Sequence, residues 1–180
     1  SVGVDGFYLN YLMDGLINNV GGSPNSSDNT RWYLYKYTKQ FQDLYSKYGA
    51  TDNFIKIAIR NPMDWTSSTM RATVLQNFTN AAKLARYAGL KGVAIDIESY
   101  SGNDIWQATT TFADKKSIVR NFGKQIGAAI TSECPTCRLI VLPETTYNVY
   151  SYIWGPHHID FWHGLLDGYS KIIYVKLISI

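Results

Sequence analysis

Five short apolar runs, each separated from the next by a stretch of helical spacing, constrain this chain more than any other feature. The runs are "VDGFYLNYL" (4–12), "NFIKIAI" (53–59), "GVAIDIE" (92–98), "RLIVLPE" (138–144) and "KIIYVKLI" (171–178). Each has the length and apolar content of a strand. Between them lie "RWYLYKYTKQFQDLYSKYG", "STMRATVLQNFTNAAKLARYAG", "DKKSIVRNFGKQIGAAITSE" and the shorter "HHIDFWHGLLDGYS". In the second of these, Val74, Leu75, Phe78, Ala81, Ala82 and Ala85 share one helical face, while Asn77, Asn80 and Lys83 lie elsewhere. That pattern suits an amphipathic helix packed on a sheet. Strands alternating with helices predict a parallel β/α succession.

An internal repeat sharpens the expectation. "GVDGFYLN" (3–10) and "GLKGVAID" (89–96) both read Gly, aliphatic, any, Gly, apolar, any, aliphatic, then Asn or Asp. The first Gly suits a helix C-cap, and the second lets the chain turn closely into the strand. Two equivalent helix-to-strand junctions imply a helix and a strand before position 1, and the run "IIYVKLISI" ends the chain in a strand that nothing after it covers. The expected fold is therefore one α/β domain over residues 1–180, a parallel β/α barrel of the TIM type, incomplete, with five strands visible where eight would close it. Its open edges would need cover from further chain segments or other copies of the chain. An open doubly wound sheet of five strands is the structural alternative, against which no glycine-rich phosphate loop follows the first run.

Composition narrows the function classes. The 180 residues suffice for a single sizeable core, and a net charge of +3 is spread along the chain rather than gathered into a basic arm. A nucleic-acid partner is not expected. No apolar run approaches the roughly 20 residues that span a bilayer, so no membrane partner is expected either. The only cysteines, Cys134 and Cys137, form "CPTC". Two ligands cannot close a zinc site, and the motif precedes a strand instead of opening a helix as a redox pair would. A disulfide or two plain thiols remain. Together with the acceptor triplets at Asn25 and Asn77, the cysteines favour a secreted or cell-surface location. His158 and His163 are five apart, which misses the three- or four-residue spacing of two ligands on one helical face, so no metal and no cofactor are expected.

The chemistry is expected at the end of the third run. Period-2 alternation sets Ala94, Asp96 and Glu98 on one face, with Val93, Ile95 and Ile97 on the other. The apolar set suits a helix layer, which leaves the two acids at a strand's C-terminal end, where barrel active sites are built. A plainer reading is that the acids cap a helix or pair with Lys or Arg. Two like charges this close push one pKa up, so that one acid stays protonated to serve as a general acid. Asn10, Arg60, Glu144 and Tyr147 fall at the ends of other runs and are candidate rim residues. Trp65, in "NPMDWTS", is a candidate platform for a sugar ring, or else plain core.

On these residues the chain resembles a family. "KIAIRNPMDWTSSTMRATVLQNFTNAAKLARYAGLKGVAIDIESY" is similar to the third-to-fourth-strand region of family 18 glycoside hydrolases, the chitinases and endo-β-N-acetylglucosaminidases. Aligned on that family's Asp-Gly-x-Asp-x-Asp-x-Glu, this chain matches Gly92, Asp96 and Glu98 but has Lys91 and Ala94 where the family has aspartates. Family 25 muramidases carry a shorter Asp-x-Glu, and "GVDGFYLNY" resembles a strand of fungal α-1,3-glucanases. The resemblance implies hydrolysis of a glycan, with Glu98 protonating the leaving oxygen and Asp96 raising its pKa or orienting a neighbouring group. Glu144 is the alternative partner acid. A non-catalytic glycan-binding or structural cell-surface domain is the second expectation, and a metal-dependent deacetylase or lyase the third.

Overall fold

The computed structural model describes residues 8–9, 29–58, 64–96, 112–142 and 157–169. Within them the chain runs β1 (Tyr8–Leu9), α1 (Asn29–Lys47), β2 (Phe54–Ala58), α2 (Ser68–Ala88), β3 (Gly92–Asp96), α3 (Phe112–Glu133), β4 (Arg138–Leu142) and α4 (His157–Gly168). The strands form one sheet, all parallel and in chain order β1-β2-β3-β4. Registers align Phe54, Gly92 and Arg138 at one end and Ala58, Asp96 and Leu142 at the other.

The expectation of a five-stranded incomplete barrel is corrected here. The described residues make an open sheet of four short strands, the first only two residues long, and β1 and β4 are its edges. The alternation of strands and helices that suggested a barrel is common to open and closed parallel sheets. Closure needs further strands with consistent tilt and stagger, which the periodicity does not encode. The run 171–178, taken as a fifth strand, lies outside the described residues, as do Gly3 and Gly6 of the repeat.

One face of the sheet carries the core. Ile55, Ile57, Val93, Ile95, Leu139 and Val141 alternate along β2, β3 and β4 and are buried with Tyr35 of α1, Phe78, Ala81 and Leu84 of α2, Phe122 and Ile126 of α3, and Phe161 and Leu165 of α4. The helices stand side by side in chain order, α1 on α2, α2 on α3, and α3 on α4. Burying that stripe from every helix supplies the main favourable term for the fold.

Local signals set the ends of α2. Ser67 accepts a hydrogen bond from the Met70 N–H at 3.3 Å, and Gly89 closes the helix with φ 72°, a conformation that suits a residue without Cβ. Leu90 N–H donates to the Ala85 carbonyl at 2.9 Å, and the chain turns into β3 with Gly92 packed against the backbone of Arg138. Both glycines of the second repeat therefore do what their spacing suggested.

The closest packing joins α3 to α4. Gly123 and Gly127 of α3 face Gly164 and Gly168 of α4, each four residues apart on its helix. A Cβ at Gly164 would collide with the Arg120 carbonyl, one at Gly168 with Lys124, one at Gly123 with Phe161 and one at Gly127 with Leu165, all under the 3.0 Å that real Cβ contacts respect. The pairs rise together along both helices, so α3 and α4 run parallel with their backbones in contact. Arg120 and Asp167 close the exposed side of this seam at 2.8 Å.

At the other end of that seam Cys134 and Cys137 are joined in a disulfide, just before β4. The Tyr169 hydroxyl, immediately past α4, donates to the Cys137 carbonyl. Burial pushes the Tyr169 phenol above its ordinary value of 10.0, and burial followed by the charge of Glu133 does the same for Tyr35.

Three outcomes follow. Gly164→Ala forces backbone against backbone and should lower the unfolding free energy by about 1–3 kcal/mol, read from urea melts. Ser132→Ala, at an exposed position of α3, should stay within about 0.5 kcal/mol of the parent. Because the folded-state values of Tyr35 and Tyr169 are raised, their contribution is full below the unfolded value near 10.0 and is lost as pH rises through the folded values. Tyr169→Phe should therefore lose less stability than the parent between about pH 9 and 11, measured as the urea midpoint across that window.

Candidate functional site

The sheet face away from the helices is where charge accumulates. On β2 and β3 the in-register pairs Lys56 with Ala94 and Ala58 with Asp96 put Lys56 and Asp96 on that face, diagonal to one another. Asp96 is the last residue of β3 and 1% exposed. The Lys56 side chain is 16% exposed, and its ammonium forms an ion pair with the Asp96 Oδ2. Desolvating two charges is costly, and removing one of them leaves the other buried and uncompensated. A charge pair at the C-terminal edge of a parallel sheet stands where open α/β sheets form ligand crevices.

This arrangement answers in part why an acid ends an apolar run. Asp96 points away from the core face that Val93 and Ile95 occupy, and its charge is met by a lysine from the neighbouring strand. Lys56 was not singled out from the sequence. The signal was present in "NFIKIAI", a lysine alternating with buried isoleucines, yet which acid it meets depends on the register of two strands some forty residues apart.

Trp65, expected either as a sugar platform or as plain core, lies in the core: it is 0% exposed, with ring centroids 6.0 Å from Phe122 and 6.1 Å from Phe161. It fills the space between α2, α3 and α4, so no sugar ring can stack on it in this conformation. Its backbone is held by neighbours: the Arg71 guanidinium donates to the Trp65 carbonyl, and Asp64 accepts from the Thr66 N–H at 2.9 Å and the Thr66 hydroxyl at 2.6 Å. The Thr66 hydroxyl, then its N–H, hold the Asp64 carboxyl below its usual range.

The remaining candidates divide plainly. Cys134 and Cys137 sit at the N-terminal end of β4, opposite the end that carries Asp96. Asn77 lies mid-helix in α2, half-buried, and the Thr79 hydroxyl of its triplet is turned to the Leu75 carbonyl at 2.8 Å. Glu98, Glu144, Asn10, Arg60, Tyr147 and Asn25 lie outside the described residues. Among the described residues no three His, Cys, Asp or Glu side chains gather as a metal site, and no helix is long and apolar enough to cross a membrane.

Compared with known proteins, the chain matches no family model, no curated protein and no solved structure.

Lys56→Met should cost about 3 kcal/mol or more in urea melts, because it takes the ammonium away from a buried carboxylate. Lys56→Met combined with Asp96→Leu should recover most of that loss, since neither charge then remains. A single variant that costs under about 1 kcal/mol would show that the pair holds nothing together.

Proposed function

We propose that the protein is a glycoside hydrolase whose acids lie at the C-terminal end of β3. The observation that carries the reading is Asp96 itself: a buried carboxylate kept at the last position of a parallel strand, on the face opposite the described helices, and paired with Lys56. Glu98 follows it by two residues, and the "DIE" they share resembles the acid-bearing strand of family 18 enzymes. In this reading Glu98 gives its proton to the glycosidic oxygen as that oxygen's bond to the anomeric carbon breaks, a water forms the new bond at that carbon, and the water's proton passes to a carboxylate of the site, restoring it. Asp96, held in place by Lys56, orients the reacting group, and Glu144 is the candidate second acid.

The Lys56–Asp96 pair also favours a second reading. A carboxylate already matched by an ammonium can serve to lock β2 against β3, and the domain would then bind a glycan without cleaving it.

One experiment separates the two. Hydrolysis of chitin and α-1,3-glucan oligosaccharides, read as new reducing ends, is compared with hydrolysis of an aryl glycoside whose leaving group needs little protonation. Glu98→Gln should slow the natural oligosaccharide on the order of 10²–10⁴-fold and the aryl glycoside far less. Equal losses on both substrates would remove Glu98 as the acid. Glycan binding with no cleavage by the parent protein would establish the second reading in place of the first.

A further inference from the structure

A groove of about 380 Å³ runs over the outer surface between α2 and α3, lined by Arg71, Ser117, Ile118, Asn121, Phe122 and Gln125. It lies on the helix layer and uses none of the residues assigned above to hydrolysis. Its volume falls within the range of small-molecule sites.

The lining has a definite order. Ser117, Asn121 and Gln125 follow one another at four-residue spacing along α3, so they form a single exposed row of one hydroxyl and two amides. No hydrogen bond of these three side chains occurs among the described residues. Ile118, half-buried, and Phe122, 1% exposed, supply an apolar floor beside that row. Arg71, at the start of α2, stands across from it.

Arg71 is held in place while keeping donors to spare. One terminal nitrogen donates to the Trp65 carbonyl, and Trp65 is itself locked between Phe122 and Phe161. Among the described residues no carboxylate pairs with this guanidinium. A fork fixed by one bond, with donors remaining, is preorganised to take a carboxylate. Arg71 is also the one charged group among the lining residues, which suits a monoanion better than a phosphate dianion.

We propose that this groove binds a carboxylated sugar: the acid group on Arg71, ring hydroxyls on Ser117, Asn121 and Gln125, and the apolar ring face over Ile118, which the buried Phe122 backs from beneath. Each component of such a ligand meets a matching group, and a neutral sugar would leave the guanidinium unmatched.

D-Glucuronate and D-glucose are titrated separately into the full chain, with binding followed by calorimetry and by amide chemical shifts of α2 and α3. Glucuronate should bind at least tenfold more tightly than glucose, with shifts confined to residues around 71 and 117–125. Arg71→Gln should weaken glucuronate on the order of tenfold, and Arg71→Lys, which keeps charge without the fork, should restore only part of that. Because Arg71 also anchors Trp65, Asn121→Ala/Gln125→Ala provides the control at exposed positions, expected to weaken glucuronate several-fold with the melt unchanged. Glucuronate binding no tighter than glucose would overturn the proposal. So would shifts elsewhere, or tight binding that survives both the Arg71 and the amide substitutions.

Discussion

The contact of backbone on backbone between α3 and α4 sets the position of much of the remaining structure. Four glycines let the helix axes approach until carbonyls of one helix rest where side chains of the other would be. At ordinary separation Phe161 and Leu165 would be lifted off the core they share with Val119, Phe122 and Ile126. Trp65 depends on the same approach, because its ring is enclosed by Phe122 from one helix and Phe161 from the other. The seam also carries Tyr169 to the Cys137 carbonyl, so a contact between helices fixes the start of β4. Dispersion and burial contribute the energy here, while the glycines decide where it can be gained.

The sheet is asymmetric as a result. Its helix-side face is a continuous apolar surface of isoleucine, valine and leucine, and the opposite face holds Lys56 and Asp96 beside Ala94. A parallel strand has the same period on both faces, so on β2 and β3 the place of Lys56 and Asp96 is written in the alternation of side chains. Charge is tolerated on the second face because it comes as a pair.

Much of this was legible in the sequence, and the failures have physical causes. The runs at 53–59, 92–98 and 138–144 became β2, β3 and β4, since short apolar runs between helical stretches leave few alternatives. Gly89 and Gly92 were readable because a C-cap and a close strand junction demand residues without Cβ. Open sheet against barrel was not legible, because both are built from the same local unit and differ in how strands close over long range. The partner of Asp96 was hidden for a related reason: register between strands is a property of the pair, not of either run. Trp65 stayed open between rim platform and plain core because a tryptophan after a strand reads the same whether helices close over it or not. The sign that they do lay in "GKQIG" and "GLLDG", two Gly-x-x-x-Gly spacings in helical stretches that permit such an approach.

The two ends of the sheet are finished differently, and this bears on where chemistry can occur. At the N-terminal end the chain is bound tightly: the disulfide closes the turn before β4, Lys91 N–H donates to the Asn53 carbonyl at 2.8 Å, and Arg138 N–H to the Lys91 carbonyl at 2.9 Å. Lys91 with Asp52 and Lys83 with Glu133 add exposed pairs whose individual worth is small but which lie at the same edge. Short turns of this kind leave little room for a substrate. At the C-terminal end the connections are longer, 59–67 between β2 and α2 and 97–111 between β3 and α3. Asp96 stands where one of these begins, and Trp65 and Arg71 where the other ends. Tight turns hold one edge of a parallel sheet in register, and at the other edge more residues separate each strand from the helix that follows it. The buried ion pair and the arginine-walled groove both belong to segments that begin or end at that second edge.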